Sequence, residues 1–158
     1  MKDMLSCYAL ASNYETGRGV GINLKKATYF LNRSCRGGVF KGCNHLAHLY
    51  RVGRAVKKSE AAASRLYKKA CEGSNMLGCK YLGDCYWNGW GVEKDIEMAH
   101  QYFYKACKGE AMEGCYNLGA SLAHNKKYED AIYFLVKACE GGIPQGCEAY
   151  DRIDEEYK

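Results

Sequence analysis

The chain has 158 residues, of which 47% are hydrophobic and 13% aromatic, so it can bury a core and global disorder is excluded. Its 23 Lys and Arg residues against 18 Asp and Glu residues give a formal charge of +5, an excess that indicates a solvated surface and no nucleic-acid partner. The longest apolar run, "AIYFLV" at 131–136, is far short of the roughly 20 residues that span a bilayer, so no transmembrane segment is predicted.

Four similar segments follow one another when the chain is aligned by its cysteines. Segments 7–35, 43–71 and 79–107 have equal length, and segment 115–139 is shorter at its centre. A fixed period of this size is typical of repeat proteins. We therefore predict one array over residues 1–158. Its parts are units 7–42, 43–78, 79–114 and 115–146 and a C-terminal capping helix at 147–158.

Each unit carries two stretches with helical periodicity. In the second unit, Cys43, Leu46, Ala47 and Tyr50 mark a first helix, and the segment from Ala63 to Tyr67 marks a second. The predicted fold is all-α, a solenoid of helical hairpins in which each unit buries its apolar face against the next.

Turn and cap signals divide the helices. The turns "GRGV", "GRAV" and "GWGV" begin at residues 17, 53 and 89, and Ser59 and Asp95 are predicted N-caps of second helices. A glycine follows each second-helix cysteine by two residues and predicts a left-handed C-terminal cap; these glycines are Gly37, Gly73, Gly109 and Gly141. Pro144 is expected in the first turn of the last helix.

The pattern of leucine, small residue, tyrosine, "GxGV" and a terminal "KA" resembles the Sel-one-like repeat, a relative of the tetratricopeptide repeat. The joints "KAC-x-x-G-x-x-x-G-C" make the chain most similar to the Helicobacter cysteine-rich protein family. The resemblance covers essentially the whole chain and implies a right-handed superhelix bearing disulfides. Three features depart from it: Ala55 replaces a turn glycine, Ser6 replaces a glycine before the cysteine, and the fourth unit has a contracted turn.

Eight of the ten cysteines form pairs with one common separation. We predict disulfides Cys35–Cys43, Cys71–Cys79, Cys107–Cys115 and Cys139–Cys147, each joining a second helix to the next first helix. A ring this small contributes roughly 2.5 kcal/mol by the loop-closure relation. Zinc is the alternative, but zinc ligand pairs are typically two to four residues apart. Neither a metal site nor a cofactor is predicted, although His45 and His48 are a weak candidate metal pair. No Cys-x-x-Cys redox motif occurs.

Two cysteines are predicted to be unpaired. Cys7 has the register of Cys43, but its partner would precede residue 1, so we expect the chain to be a fragment of a longer array. Cys85 lies within a first helix and is expected to be a buried small side chain.

Disulfides also bear on the compartment. Because they persist in oxidising environments, we expect a periplasmic or secreted bacterial protein, with the mitochondrial intermembrane space as the alternative. The segment "MKDMLSCYAL" lacks the apolar core of a signal peptide, so no leader is predicted within it.

An enzymatic function is not predicted. Members of the resembled family are described as penicillin-binding proteins or β-lactamases, which makes that activity the catalytic alternative. The chain has no S-x-x-K, K-T-G, S-D-N or G-x-S-x-G motif, so no catalytic residue is carried over.

Instead, the sequence predicts a binding groove on the first helices, which we expect to line the concave side of the solenoid. Polar and aromatic residues occupy positions there that packing does not require. The predicted groove residues are Tyr8, Ser12, Asn44, His48, Arg51, Lys80, Asp84, Trp87, Asn88 and Tyr116. We expect them to bind an extended peptide or its carboxylate. The alternative is a structural subunit that uses its convex face or edge in a larger assembly. No pattern predicts an oligomeric state.

Overall fold

The structure, a computed structural model, describes residues 2–156. Nine α-helices and no strands occur in this range, which confirms the all-α prediction. The helices are α1 Lys2–Thr16, α2 Leu24–Arg36, α3 Phe40–Val52, α4 Glu60–Glu72, α5 Met76–Asn88, α6 Ile96–Lys108, α7 Met112–His124, α8 Tyr128–Glu140 and α9 Pro144–Glu156. The last two positions of the predicted capping helix, residues 157 and 158, lie outside the described residues. None of the helices described is long and apolar enough to cross a membrane.

Side-chain caps begin several helices. The Oγ of Ser59 accepts a hydrogen bond from the Ala62 amide, and the Oδ1 of Asp95 accepts one from the Met98 amide. Both N-cap predictions are therefore confirmed. Asn23 caps α2 in the same way, a role that the sequence analysis did not assign. Each cap satisfies one of the amides that the first turn leaves without a partner.

Helices pack in sequence order, each against the one before and the one after. The core therefore runs along the array as a row of small clusters. Tyr67, Leu82 and Cys85 lie in the central cluster, and Leu118 and Leu135 lie in the cluster that follows. This arrangement is that of a solenoid, in which each unit is stabilised mainly by its neighbours.

The turns within units use left-handed backbone. Gly53 ends α3 with φ 75° and Gly89 ends α5 with φ 76°. Ala55 also has a positive φ of 66°, the conformation that Gly91 adopts in the next unit with φ 69°. A residue with a Cβ rarely takes this conformation, so Ala55 stores a small amount of backbone strain.

The prediction of left-handed glycine caps after the second helices is wrong. Gly37, Gly73, Gly109 and Gly141 have φ between −90° and −77°. The left-handed residue is the next one along, for example Ser74 with φ 62°. The glycine is needed for close packing, because a Cβ at Gly73 would lie 2.2 Å from the Phe40 ring. A Cβ at Gly109 would lie 2.4 Å from Met76, which has the same place in the next unit.

Candidate functional site

Disulfides join neighbouring units at every described joint. The structure bonds Cys35 to Cys43, Cys71 to Cys79, Cys107 to Cys115 and Cys139 to Cys147, with Cα atoms 4.4 to 4.8 Å apart. Each bond ties the last turn of a second helix to the first turn of the next first helix. Such cross-links restrict the motion of one unit relative to the next, so the surface that the first helices form is held in shape.

Both unpaired cysteines are buried. Cys85 is 1% exposed in the central core cluster, as predicted. Burial raises the pKa of its thiol to about 12, and the nearby Asp84 carboxylate acts in the same direction. A thiol of this kind is a weak nucleophile at neutral pH, so Cys85 is a packing residue.

The N-terminal part of the first-helix surface holds a small charged cluster. Glu15 of α1 lies 2.9 Å from His45 Nε2 and 3.5 Å from Arg54 Nη1. The ring of Tyr8 meets His45 edge to face, with centroids 6.3 Å apart. His45 thus pairs with a carboxylate across two units. No group of three or more metal-ligating side chains occurs in the part of the chain that the structure describes.

A cavity of about 550 Å³ opens beside this cluster. Its lining includes Tyr8, Asn44 and His48 from the predicted groove, together with Asn75 and Tyr81. The pKa of His48 is lowered by burial and by the nearby Arg51 cation, so its imidazole is predominantly neutral at pH 7. The cavity therefore presents mainly neutral polar and aromatic groups.

Arg51 lies in the last turn of α3, a first helix. Its guanidinium stacks over the Trp90 ring at 5.6 Å from the centroid. Among residues 3–155, no carboxylate lies within 4.0 Å of it, and its buried Nε has no hydrogen-bond partner. The buried Oδ1 of Asn44 and the hydroxyl of Tyr67 also lack partners in the described residues. Burial raises the pKa of Tyr67 to about 12, although the nearby Arg51 acts to lower it.

Lys80 and Asp84 neutralise each other one unit further along. Their Nζ and Oδ2 atoms are 2.9 Å apart, and Asn117 of α7 donates a hydrogen bond of 2.8 Å to the other Asp84 carboxylate oxygen. Burial raises the pKa of Asp84, and the Lys80 cation opposes the shift. The Lys80 ammonium also lies 4.2 Å from the Tyr81 ring centroid. This chain of contacts orders the surface between α5 and α7.

An aromatic cavity of about 330 Å³ follows. Trp87 stacks on His100 with centroids 6.5 Å apart and meets His124 edge to face at 6.0 Å. His100 in turn shares a short hydrogen bond with Ser121. Burial lowers the pKa of His100, so this ring is also predominantly neutral at pH 7. Asn117 completes the polar part of the lining.

The predicted groove residues are distributed over these features unequally. Tyr8, Asn44 and His48 line the first cavity, and Asp84 and Trp87 line the second. The other five predicted residues line neither cavity: Ser12, Arg51, Lys80, Asn88 and Tyr116. Asn88 donates a hydrogen bond to the Asp84 carbonyl within its own helix. Tyr116 packs partly buried against the C-terminal core clusters.

Several lining residues were missed at the sequence level. Asn117 and His124 lie two and nine positions after Cys115, outside the three positions that helical periodicity assigned to the groove. His100 does not line the cavity but stacks on Trp87 from a second helix, a class of helix in which no groove residue was predicted. No local sequence signal brings Trp87, His100 and His124 together, because they lie on three different helices.

The geometry defines a disulfide-linked α-repeat protein with a polar and aromatic first-helix surface. Matches to the Sel1 repeat cover residues 5–39, 41–75, 77–110 and 113–143, which is most of the chain. The chain therefore belongs to the Sel1 repeat family, and the predicted family resemblance is confirmed.

Solved structures support this assignment. Helicobacter pylori cysteine rich protein B is 33% identical over 71% of this chain and 80% of that chain, with a TM-score of 0.61. A protective antigen of uropathogenic Escherichia coli with an SLR fold is 22% identical, with a TM-score of 0.87 over 93% of this chain and 32% of that chain. A Sel1 repeat protein from Oxalobacter formigenes is 19% identical, with a TM-score of 0.83 over 92% of this chain and 61% of that chain.

The last two likenesses show the fold alone. This chain also spans about a third of the E. coli protein and about three fifths of the Oxalobacter protein. A comparison with curated proteins produced no match.

Proposed function

We propose that the chain is a non-catalytic scaffold that binds a peptide or protein segment on its first-helix surface. The disulfide-bearing Sel1 repeat fold supports this, because such repeats typically mediate protein interactions. The bound segment runs between the Tyr8–His48 cavity and the Trp87 cavity, across Arg51. The disulfides hold the surface rigid, which lowers the entropic cost of binding.

The observation that carries the proposal is that Arg51 has no ion-pair partner among the described residues. It lies on the first-helix surface without an ion pair among the described residues, whereas the neighbouring Lys80 is neutralised by Asp84. A carboxylate from a bound segment supplies the ion-pair partner that residues 3–155 do not. The Trp90 ring beneath the guanidinium holds it in position for that contact.

The two cavities supply the apolar part of recognition. Trp87 is only partly buried and contacts the imidazole rings of His100 and His124. Its exposed part packs against an apolar side chain of the ligand. Tyr8 and Tyr81 offer similar contacts on the other side of Arg51. An extended peptide with one carboxylate between two apolar residues fits this spacing of features.

The test is selection of binders from random nine-residue peptides, followed by affinity measurement of the best sequence. Replacing Arg51 with Ala should weaken binding about tenfold or more, and Trp87→Ala should weaken it by a similar factor. Arg152→Ala is the matched control, because this exposed arginine of α9 lies outside both cavities. Unchanged affinity of Arg51→Ala for a peptide that Arg152→Ala also binds would remove the surface from consideration.

We propose a periplasmic or secreted location, with the mitochondrial intermembrane space as the alternative. Four disulfides within the described residues support an oxidising compartment. Mass mapping of thiols, after trapping with iodoacetamide in intact cells, tests it. Recovery of three or more reduced pairs would contradict the proposal.

A structural role in a larger assembly is the second candidate. Its support is a set of exposed aromatic residues on second helices, including Tyr29, Tyr104 and Tyr133. Cross-linking of the protein in its native extract separates the two roles. Cross-links concentrated on α2, α4, α6 and α8 would favour assembly, and cross-links on the odd-numbered helices would favour the groove.

A further inference from the structure

A second groove lies between α2 and α4, the second helices of the first two units. Its volume is about 660 Å³, and Leu46 of α3 and Leu66 of α4 contribute its apolar lining. None of the residues predicted for the peptide groove lines it. We call it the α2–α4 groove.

One residue in the turn after α3 distinguishes the interface that holds the α2–α4 groove from the next interface along the array. In the next unit, Gly91 of the turn between α5 and α6 lies against α4, where a Cβ would be 2.2 Å from the carbonyl carbon of Glu60. The hydroxyl of Ser64 donates a hydrogen bond of 3.2 Å to the Gly91 carbonyl and ties the turn to that helix. Residue 55, at the position of Gly91 one unit earlier, is alanine, and it lines the groove.

The hydrogen bond that ties the turn to the preceding unit between units two and three has no counterpart between units one and two. Thr28 stands where Ser64 stands one unit later, but its hydroxyl donates to the Leu24 carbonyl within its own helix. A Cβ at this position would collide with the facing helix in the close approach that Gly91 makes, and Ala55 carries a Cβ. The turn therefore stays away from α2, and the space between the two second helices remains open.

The rim of the α2–α4 groove is cationic. Lys25, Arg65 and Lys69 line it, all three are exposed, and none has an ion-pair partner among the described residues. Helix α2 contains four basic residues and no acidic one. No Asp or Glu lines the groove.

The wider charge distribution reinforces the rim. Residues 1–75 contain 14 of the 23 Lys and Arg residues but only 4 of the 18 Asp and Glu residues. The field of this half of the chain is therefore positive and draws anionic partners toward the groove.

We propose that the α2–α4 groove docks an acidic protein segment that carries apolar side chains. Carboxylates of the segment pair with Lys25, Arg65 and Lys69, and its apolar side chains cover Leu66 and the exposed ring of Tyr29. The apolar lining favours a peptide over a nucleic acid, because a phosphate backbone would satisfy the rim and leave the partly buried Leu66 and the exposed ring of Tyr29 uncovered. This surface is separate from the Arg51 groove, so the protein can hold two segments at once.

The probe is a fluorescein-labelled nine-residue peptide of alternating Glu and Leu, measured by fluorescence polarisation. Arg65→Glu combined with Lys69→Glu should weaken its binding at least tenfold, and raised salt should weaken binding to the unmodified protein. Lys94→Glu combined with Lys126→Glu is the control, because it changes the net charge equally at exposed sites outside the groove. This control should alter affinity less than twofold.

Two further variants test the shape of the groove and its independence. Ala55→Gly should weaken binding severalfold, because it removes the methyl group that keeps the turn away from α2. In an Arg51→Ala background, Arg65→Glu combined with Lys69→Glu should still weaken binding of this peptide at least tenfold, so failure of the first groove and failure of the second are distinguishable. A Glu and Gly peptide should bind more weakly than the Glu and Leu peptide.

Two results would overturn the proposal. One is equal affinity of the Arg65→Glu, Lys69→Glu protein and its control. The other is displacement of the peptide by a single-stranded oligonucleotide at lower concentrations than by the unlabelled peptide. A second charge variant, Lys25→Gln with Arg65→Gln, keeps the test valid if charge reversal disturbs folding, which far-ultraviolet circular dichroism would reveal.

Discussion

Gly73 lies so close to the ring of Phe40 that a Cβ at Gly73 would be 2.2 to 2.3 Å from three ring carbons. Gly73 follows α4 and Phe40 begins α3, so the contact closes the end of the second hairpin. The contact also explains why a glycine with an ordinary negative φ recurs after each second helix. Space, and not backbone conformation, requires it.

Replacing Gly73 with Ala should therefore destabilise the protein by about 1–3 kcal/mol, because the Phe40 ring must shift out of a packed position. Urea unfolding at pH 7 measures the change in the free energy of unfolding. Gly21→Ala is the control, since nothing lies within 4 Å of a Cβ there. That control should be neutral or slightly stabilising, and equal losses in both variants would contradict the packing explanation.

Removing the disulfide between Cys107 and Cys115 should lower the free energy of unfolding by about 2.5 kcal/mol. The double Cys→Ala variant releases a short ring in the unfolded chain, which gains conformational entropy. Unfolding of this variant and of the unmodified protein should be compared in urea without reductant. Adding reductant should then destabilise the unmodified protein more than the variant, because the unmodified protein has one more bond to lose.

The Cys85 thiol should resist alkylation in the folded protein. Burial raises its pKa to about 12, so little thiolate is present at pH 8 and access is blocked. Mass spectrometry after iodoacetamide treatment should show modification of Cys85 only when urea unfolds the chain. Rapid labelling of Cys85 under native conditions would show that the central core opens locally.

The raised pKa of the Cys85 thiol also predicts a loss of stability at alkaline pH. In the unfolded chain the Cys85 thiol ionises near its ordinary pKa of 9.0, whereas in the folded protein it stays neutral up to about pH 12. The stabilising contribution is thus complete below pH 9 and is lost as the pH rises toward 12. Cys85→Ala should flatten the decline in unfolding free energy between pH 9 and 10.5, and an unchanged slope would contradict the assignment.

Tyr67→Phe should leave stability at pH 7 unchanged or raise it by up to about 1 kcal/mol. The Tyr67 side chain is completely buried, and its hydroxyl has no hydrogen-bond partner in the described residues. Removing an unsatisfied buried hydroxyl eliminates a desolvation cost and preserves the ring contact with Tyr81. Thermal unfolding followed by circular dichroism measures the effect. A loss above 1 kcal/mol would show that the hydroxyl is hydrogen-bonded, either to the nearby Arg51 or to an ordered water.

How far the sequence predicts the candidate site depends on the range of the contacts. Asp84 and Trp87 were found because helical periodicity left them outside the core. Asn117, which donates to Asp84 from the next unit, was not found, because helical periodicity within one unit does not show which side chains meet across units. The sequence equally could not show that Arg51 has no ion pair within 4.0 Å among the described residues, since this depends on where every nearby carboxylate lies.

By itself, the sequence determined the repeat period, the hairpins, the N-caps at Ser59 and Asp95, and the spacing of the cysteine pairs. These features depend on interactions within one unit or across one short joint, so a local pattern is enough to predict them. Only the tertiary structure decided the role of Gly73, the lack of an ion pair at Arg51 within the described part of the chain, and the opening of the α2–α4 groove beside Ala55. Each of these follows from how closely elements distant in sequence approach each other, and a single Cβ at that approach changes the result.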